Sequence, residues 1–435
     1  MNRSERVKER LESARRRRRP FRSARRKCFP KPRVGSFLLG GGRWTGRSRG
    51  LQARSWGYEC AGSENERYAM GSGRKQGDER VRRLRRSGAA WTVCLCLSGA
   101  GLLAGTVEAG GGTLIVLNKS EASVSFLDRD SGREVFKLPV GEGPHEVAVA
   151  PDGKTAVVAN YGARTPGSTL TVLDLPSRSP VKTIDLGAFK RPHGIGFLPD
   201  GRRVAVTSEV KRALLIVNVR TGRIEKHFDT TQEISHMVAL TPKADRAFVA
   251  NIGSGSVSVL DLTTGKLPAV IQTGAGAEGI AVTPDGKEVW VANRGADTLS
   301  VIDAASLKIV ETIPCKSFPI RIAFTPDGRF ALVSNARSGE VAVFDTRSRK
   351  ELRRIPMRAK AKGDKDERLF GNRFGDSPVP VGLLIPPDGR HAYVANTNAD
   401  LITVIDLKTW KVVDRFRAGK EPDGMGYSPL DLTTP

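Results

Sequence analysis

From residue 112 onward, short apolar runs alternate with polar turns, and one four-part pattern keeps returning. A run such as AVVAN, ending at Asn160, is followed by an alternating run such as TLTVLD, ending at Asp174. The first kind of run ends at Asn118, Asn160, Ser208, Asn251, Asn293, Asn335 and Asn396. The second ends at Asp128, Asp174, Asn218, Asp261, Asp303, Asp345 and Asp406. Pro-Asp-Gly precedes the first run at Pro151, Pro199, Pro284, Pro326 and Pro387, and the variant PKAD stands at Pro242. Successive Asp/Asn ends lie 42–46 residues apart, except for a last interval of 61. Period-two alternation buries one face of an extended strand. Pro fixes φ at a tight turn and Gly tolerates positive φ beyond it.

Each unit therefore predicts four short strands: one before Pro-Asp-Gly, the two runs, and a closing segment such as LKIVETIPC or WKVVDRFRA. Four-stranded sheets repeated at a period near 42 predict an all-β, seven-bladed β-propeller. The first unit lacks its opening strand. The C-terminal PDGMGYSP has the register of the missing strand, so the C-terminus is expected to complete blade 1. Closure by both chain ends removes the open sheet edge.

The segment GAGAEGIAVTPDGKEVWVANRGADTLSVID (274–303) resembles the consensus of the YVTN-repeat β-propeller family, and the resemblance extends over about 112–429. It implies the propeller fold. Relatives include exported binding or surface proteins, lactonase-like enzymes and the haem-bearing propeller of a nitrite reductase, so the resemblance alone selects no function.

Charge changes the picture at one end. The chain has a net charge of +25, but residues 1–90 hold 27 Lys+Arg against 8 Asp+Glu, and residues 91–435 hold 44 against 38. The propeller is therefore not expected to bind nucleic acid. Residues 1–69 read as a basic disordered segment, or as an upstream extension of the reading frame. Residues 70–109 read as a signal peptide: Arg80, Arg82, Arg83, Arg85 and Arg86, then the apolar AAWTVCLCLSGAGLLAG, then Val107-Glu108-Ala109. The apolar stretch is short for a membrane span. The expectation is an exported, periplasmic or extracellular monomer, without a stable membrane anchor, whose mature domain is 110–435. Only Cys315 lies beyond residue 100, so no disulfide framework is expected within that domain.

Candidate chemistry comes from the register. The residue six positions before each turn Pro is His145, His193, His236, Glu278, Ile320, Val381 and Asp423. These positions should ring the mouth of the central channel. Chance would place about 0.1 His on them, and they hold three. Imidazoles with a carboxylate suit a divalent transition metal (Zn, Fe, Cu or Ni), with His145, His193, His236 and Glu278 as ligands. Asp423 would then be free to act as a base. The other reading of the ring is a solvated funnel. His227 and His391 fall elsewhere on the strands and read as surface residues. The long interval before Val381 contains the insertion 357–380, whose Phe370, Arg373 and Phe374 could form a lid over a ligand. The stretch 161–169 reads as the longest loop between the second and third strands. Ser258 and Ser300 read as strand filler. No nucleophile elbow, phosphate loop or haem motif is present. Three functions follow: a module binding a small molecule or protein over its channel, a metal-dependent hydrolase or lyase of lactonase-like type, or a structural surface repeat protein.

Overall fold

The computed structural model describes residues 111–363 and 368–433. The stretches expected to be a basic segment (1–69) and a signal peptide (70–109) lie outside them. Among the described residues, 28 strands form seven four-stranded antiparallel sheets. Blades 2 to 7 run in order over 144–185, 192–229, 235–272, 277–314, 319–356 and 380–417. Blade 1 joins 113–139 to the C-terminal strand Pro422–Ser428, which pairs with Thr113–Asn118. This is the closure expected from PDGMGYSP. The first strand of each unit is innermost and touches the inner strands of both neighbours, forming a ring around the axis. None of the helices among the described residues is long and apolar enough to cross a membrane.

Neighbouring blades cover the second and third strands on both faces. All six residues of Thr113–Asn118 are buried, as are five of six in Ser256–Asp261. That is why these runs are almost continuously apolar. An outermost strand has one covered face: Lys308–Pro314 fully buries only Ile313. The core lies between blades. Val157, Leu170, Val206 and Leu215 fill the space between blades 2 and 3, and Trp290, Val301, Val333 and Phe344 that between blades 5 and 6. Each such side chain stabilises the fold by about 1.5–3 kcal/mol through burial.

The Asn that ends the second strand is also structural. Asn251 Nδ2 donates to Ser258 Oγ (3.0 Å), and Asn293 Nδ2 donates to Ser300 Oγ (3.0 Å). Ser258 and Ser300 are thus buried acceptors that satisfy a buried amide, not filler. The Pro-Asp-Gly glycines take positive φ, from 63° at Gly389 to 74° at Gly286, and Ala244 takes 49° in the PKAD variant. The stretch 161–169 is mostly strand rather than loop. Thr155–Gly162 and Pro166–Asp174 extend as a hairpin, because Gly162 (φ 85°) and Gly167 let the two backbones close tightly beyond Asn160.

Candidate functional site

In four of the seven blades the inner strands approach one another so closely that no side chain fits just after the ring position. A Cβ on Gly279 would lie 2.2 Å from the Ile320 carbonyl oxygen, one on Gly382 2.0 Å from that of Asp423, and one on Gly424 2.3 Å from that of His145. Real Cβ atoms do not come that near backbone, so glycine is required there. The same closeness brings the preceding residues together. The His145 and His193 ring centroids are 4.9 Å apart, and those of His193 and His236 are 3.6 Å apart. His236 Nε2 lies 3.4 Å from Glu278 Oε1. All four residues are buried, as is Asp423.

The three imidazoles are not equivalent. His236 lies between two carboxylates, with Nδ1 2.5 Å from Glu209 Oε1 and Nε2 facing Glu278. Burial opposes a charge on it, but hydrogen bonds to Glu209 and Glu278 prevail and raise its pKa. The His145 pKa is driven well below the usual imidazole value by burial and then by Lys119. Burial, followed by the neighbouring His236 and His145, does the same to His193. His145 Nδ1 faces the Gly143 carbonyl oxygen at 2.9 Å. A carbonyl only accepts, so Nδ1 carries the proton and Nε2 holds the lone pair. His193 Nδ1 is buried and has no partner among the described residues. The site thus contains two rings that burial holds toward the neutral form beside one whose proton two carboxylates favour.

The other half of the ring is ionic. One position beyond Ile320, Arg321 reaches across the channel from blade 6 to blade 2, placing Nη2 2.7 Å from Glu146 Oε1. Its Nη1 lies 3.2 Å from Glu278 Oε1. Burial disfavours the guanidinium charge, but Glu146, Glu278 and Asp423 raise the Arg321 pKa. Glu278 also pairs with Arg294. Burial alone would raise its pKa; the His236 hydrogen bond, Arg294 and Arg321 bring it down to about 2. Asp423 differs: burial pushes it up to about 6, with Lys119 and Arg321 holding it back, and its Oδ1 has no partner among the described residues. Sequence reasoning missed Arg321, Glu146, Glu209 and Arg294. The first two were detectable, since the position after the ring residue is Gly in four blades and charged in two.

As arranged, the four expected metal ligands do not offer four free donors. Both His236 nitrogens already face carboxylates, and Glu278 is bound by two arginines. Among the described residues, no group of three or more His, Cys, Asp or Glu side chains is placed to hold a metal ion.

His145 opens onto a cavity of about 630 Å³ at the channel mouth, lined also by Lys119, Tyr161, Arg191, Arg368 and Glu421. Tyr161 stacks between His145 (4.3 Å) and Arg191 (4.5 Å), and its hydroxyl donates to Glu209 Oε2 (2.6 Å). The described part of the insertion folds against this face. Phe374 and Phe370 pack with Phe318, Ile320 and Val381, covering the two apolar ring positions. Arg373 lies 4.8 Å over the Phe318 ring. Arg368 forms a two-pronged ion pair with Asp400 (2.8 Å each), and the Leu369 amide donates to Glu421 Oε1 at 2.6 Å. His227 is exposed and His391 half-buried, both away from the ring.

A family model described as YNCE-like beta-propeller matches residues 200–365. The chain resembles the YVTN and nitrite-reductase-like propellers. Among solved structures, a chain of Kuenenia stuttgartiensis hydrazine synthase matches with a TM-score of 0.55 and 18% identity, over 65% of this chain and 88% of that one. Dihydro-heme d1 dehydrogenase NirN, in complex with DHE, matches with a TM-score of 0.52 and 19% identity, over 71% of this chain and 64% of that one. At such identities the likeness is one of fold. No curated protein matches the sequence.

Proposed function

We propose that this chain is an exported β-propeller that binds a small polar ligand at the channel mouth, over His145, His193 and Asp423. One observation carries the reading: His193 Nδ1 and Asp423 Oδ1 are buried polar atoms without partners, on one arc of the ring. Burying such a group unpaired costs about 1–3 kcal/mol, which a ligand hydrogen bond would offset. Several repeat asparagines also leave Oδ1 unpaired, but those recur from blade to blade and belong to the fold. The His145 and Asp423 atoms lie on adjacent inner strands, His145 faces the cavity, His145 Nε2 is free to accept, and His193 Nδ1 is free to donate or accept according to its tautomer. Another protein of this fold is described in complex with a ligand, DHE.

A second reading is a divalent transition metal. The depressed basicity of His145 and His193 favours it, because only neutral imidazole ligates. It requires His236 to lose its proton and turn from its carboxylates. Asp423, at about 6, is then mostly ionised at neutral pH and suited to accept a proton.

The test is native mass spectrometry and elemental analysis of the purified full chain and of His193→Ala. A small molecule retained by the wild type and lost in the variant, with the far-ultraviolet spectrum unchanged, supports the first reading. Stoichiometric Zn, Cu, Ni or Fe lost in the same way supports the second. If the wild type carries neither and takes up no metal at micromolar concentration, both fail and a solvated funnel stands. Export is tested by N-terminal sequencing of the native protein, which should begin near Gly110.

A further inference from the structure

The propeller has a second distinctive region, far in sequence from the His-rich arc. The seven outermost strands are structurally equivalent, yet their charges are not. In blade 1 the outer strand carries Glu134 and Lys137; in blade 2, Lys182 and Asp185; in blade 5, Lys308 and Glu311. Each of these is neutral. Blade 4 has no charge there, and blade 3 has one excess acid, with Glu225, Lys226 and Asp229. Blades 6 and 7 break the pattern together. Lys350–Pro356 carries Lys350, Arg353 and Arg354 against Glu351, and Lys411–Arg417 carries Lys411, Arg415 and Arg417 against Asp414. Residues 347–362, which include the start of the insertion, hold eight Lys or Arg and one Glu. That excess exceeds the net +6 of the whole 91–435 region.

These two strands border one groove of about 560 Å³, lined by Arg353, Arg354, Arg358, Lys411, Arg415 and Trp410, with no acidic residue in its walls. Arg354 pairs with Glu351. Arg353, Arg358, Lys411 and Arg415 have no carboxylate partner among the described residues. The Arg353 guanidinium lies 5.7 Å over the Trp410 ring, and Arg415 donates to the Met357 carbonyl at 2.8 Å, so the groove is braced. One exposed apolar side chain stands beside the cations on each strand, at the bulge where the register shifts. Leu352 is 50% exposed and Val413 55%. The fourth strand of a blade also has a free edge of backbone donors and acceptors.

We infer that this groove is a docking surface for an extended acidic polypeptide segment, with carboxylates alternating with apolar side chains. Cations without carboxylate partners, exposed aliphatics beside them and a free strand edge together match an extended ligand that carries both carboxylates and apolar side chains. A polyphosphate or a lipid headgroup would use the cations alone. The occupant is not this chain's own N-terminal stretch, because residues 1–90 carry a large positive excess.

The experiment uses the full chain and fluorescence anisotropy of a labelled decapeptide of alternating Glu and Val. The N-terminal basic stretch contributes equally to every variant, so the comparison lies between two charge reversals. R353E/R415E alters the groove; K226E/K308E alters exposed outer-strand positions on blades 3 and 5. The expected result is a loss of about tenfold or more in affinity for the first and less than about twofold for the second. A peptide of alternating Glu and Ser should bind more weakly than Glu-Val. Far-ultraviolet spectra of both variants should match the wild type, with R353E/R415E melting a few degrees lower at most, since all four side chains are exposed and the groove variant loses only the Trp410 and Met357 contacts. The inference is overturned if both reversals weaken binding equally, or if wild type does not bind the Glu-Val peptide. It is also overturned if a single-stranded oligonucleotide or phosphatidylglycerol vesicles bind more tightly through Arg353 and Arg415. Self-association abolished by R353E/R415E, without peptide binding, would identify a second copy as the occupant instead.

Discussion

Replacing Arg321 with Leu should be among the most damaging single changes in the propeller. The guanidinium is buried at the channel axis and binds Glu146 from the opposite side and Glu278 from the adjacent blade, at 2.7 and 3.2 Å. Leu removes the cation and leaves both carboxylates in place. Breaking a buried ion pair from one side costs about 3–5 kcal/mol. For a domain of this size that is a fall in Tm of roughly 6–15 °C. The sign with pH follows from Glu278, held at about 2 against an ordinary value of 4.5. A depressed carboxylate contributes stability that is present above its unfolded pKa and lost as pH falls through its folded pKa. Arg321 supplies part of that contribution. The gap between wild type and variant should therefore be widest at pH 7–8 and shrink as pH falls from 4.5 toward 2, where Glu278 takes up its proton. Denaturant unfolding followed by circular dichroism at pH 8, 7, 5 and 4 measures it. The double variant Arg321→Leu/Glu146→Leu should recover part of the loss, because one stranded charge is gone. A single-variant loss below about 1 kcal/mol at pH 7, or one constant from pH 8 to pH 4, would refute the cross-channel pairing.

Three further outcomes follow. His236 has a raised pKa in the fold, so its contribution is complete below 6.5 and lost as pH rises through the folded value; His236→Gln should flatten the decline in wild-type stability above neutral pH, measured by thermal melts across pH 6–9. Gly279→Ala forces a Cβ to 2.2 Å from the Ile320 carbonyl and should destabilise by several kcal/mol, whereas Gly196→Ala, whose Cβ would meet only Leu240 Cδ1 at 3.6 Å, should stay within about 1 kcal/mol of wild type in the same unfolding assay. Deleting residues 419–435 removes the inner strand of blade 1 together with Leu432, which packs into its core, and should abolish cooperative melting and promote aggregation; an unchanged Tm would contradict the closure.

The repeat was legible because each unit writes the same turn, Asn and Asp at nearly fixed spacing, and the blade count follows from counting those marks. The ring was legible for the same reason: His145, His193, His236 and Glu278 share one position, and equivalent positions on equivalent strands meet at the axis. What those side chains do to one another was not legible. Glu209, whose hydrogen bond raises the His236 pKa, lies just beyond the second strand of blade 3, where the register offers no reason to look. Arg294, which occupies Glu278, likewise follows a strand end. Ser258 and Ser300 looked like filler because alternation identifies which face a residue takes, not which amide waits on that face. The hairpin at 155–174 was misread because Gly and Pro signal a turn equally well when two glycines allow the strands to continue.

Arg321 and Glu146 show how a symmetric fold acquires a directional site. Closure makes all seven inner strands equivalent, and glycine after the ring residue is the default that lets them pack. A side chain there must therefore point into the channel rather than toward its neighbour, and in blades 2 and 6 that side chain is charged. Their pairing spans the channel with fixed charge, which Glu278 extends to His236. His236 and Glu278 are thus drawn into the ion network. The neutral rings of His145 and His193, and the unpaired oxygen of Asp423, are left outside it. A ligand that needs uncommitted donors and acceptors finds them only there, beside the cavity at His145. The same reasoning orders the variants: changing Arg321 should act first on Glu278, whose pKa it helps to depress, while changing His193 should alter ligand retention and leave the ion network intact.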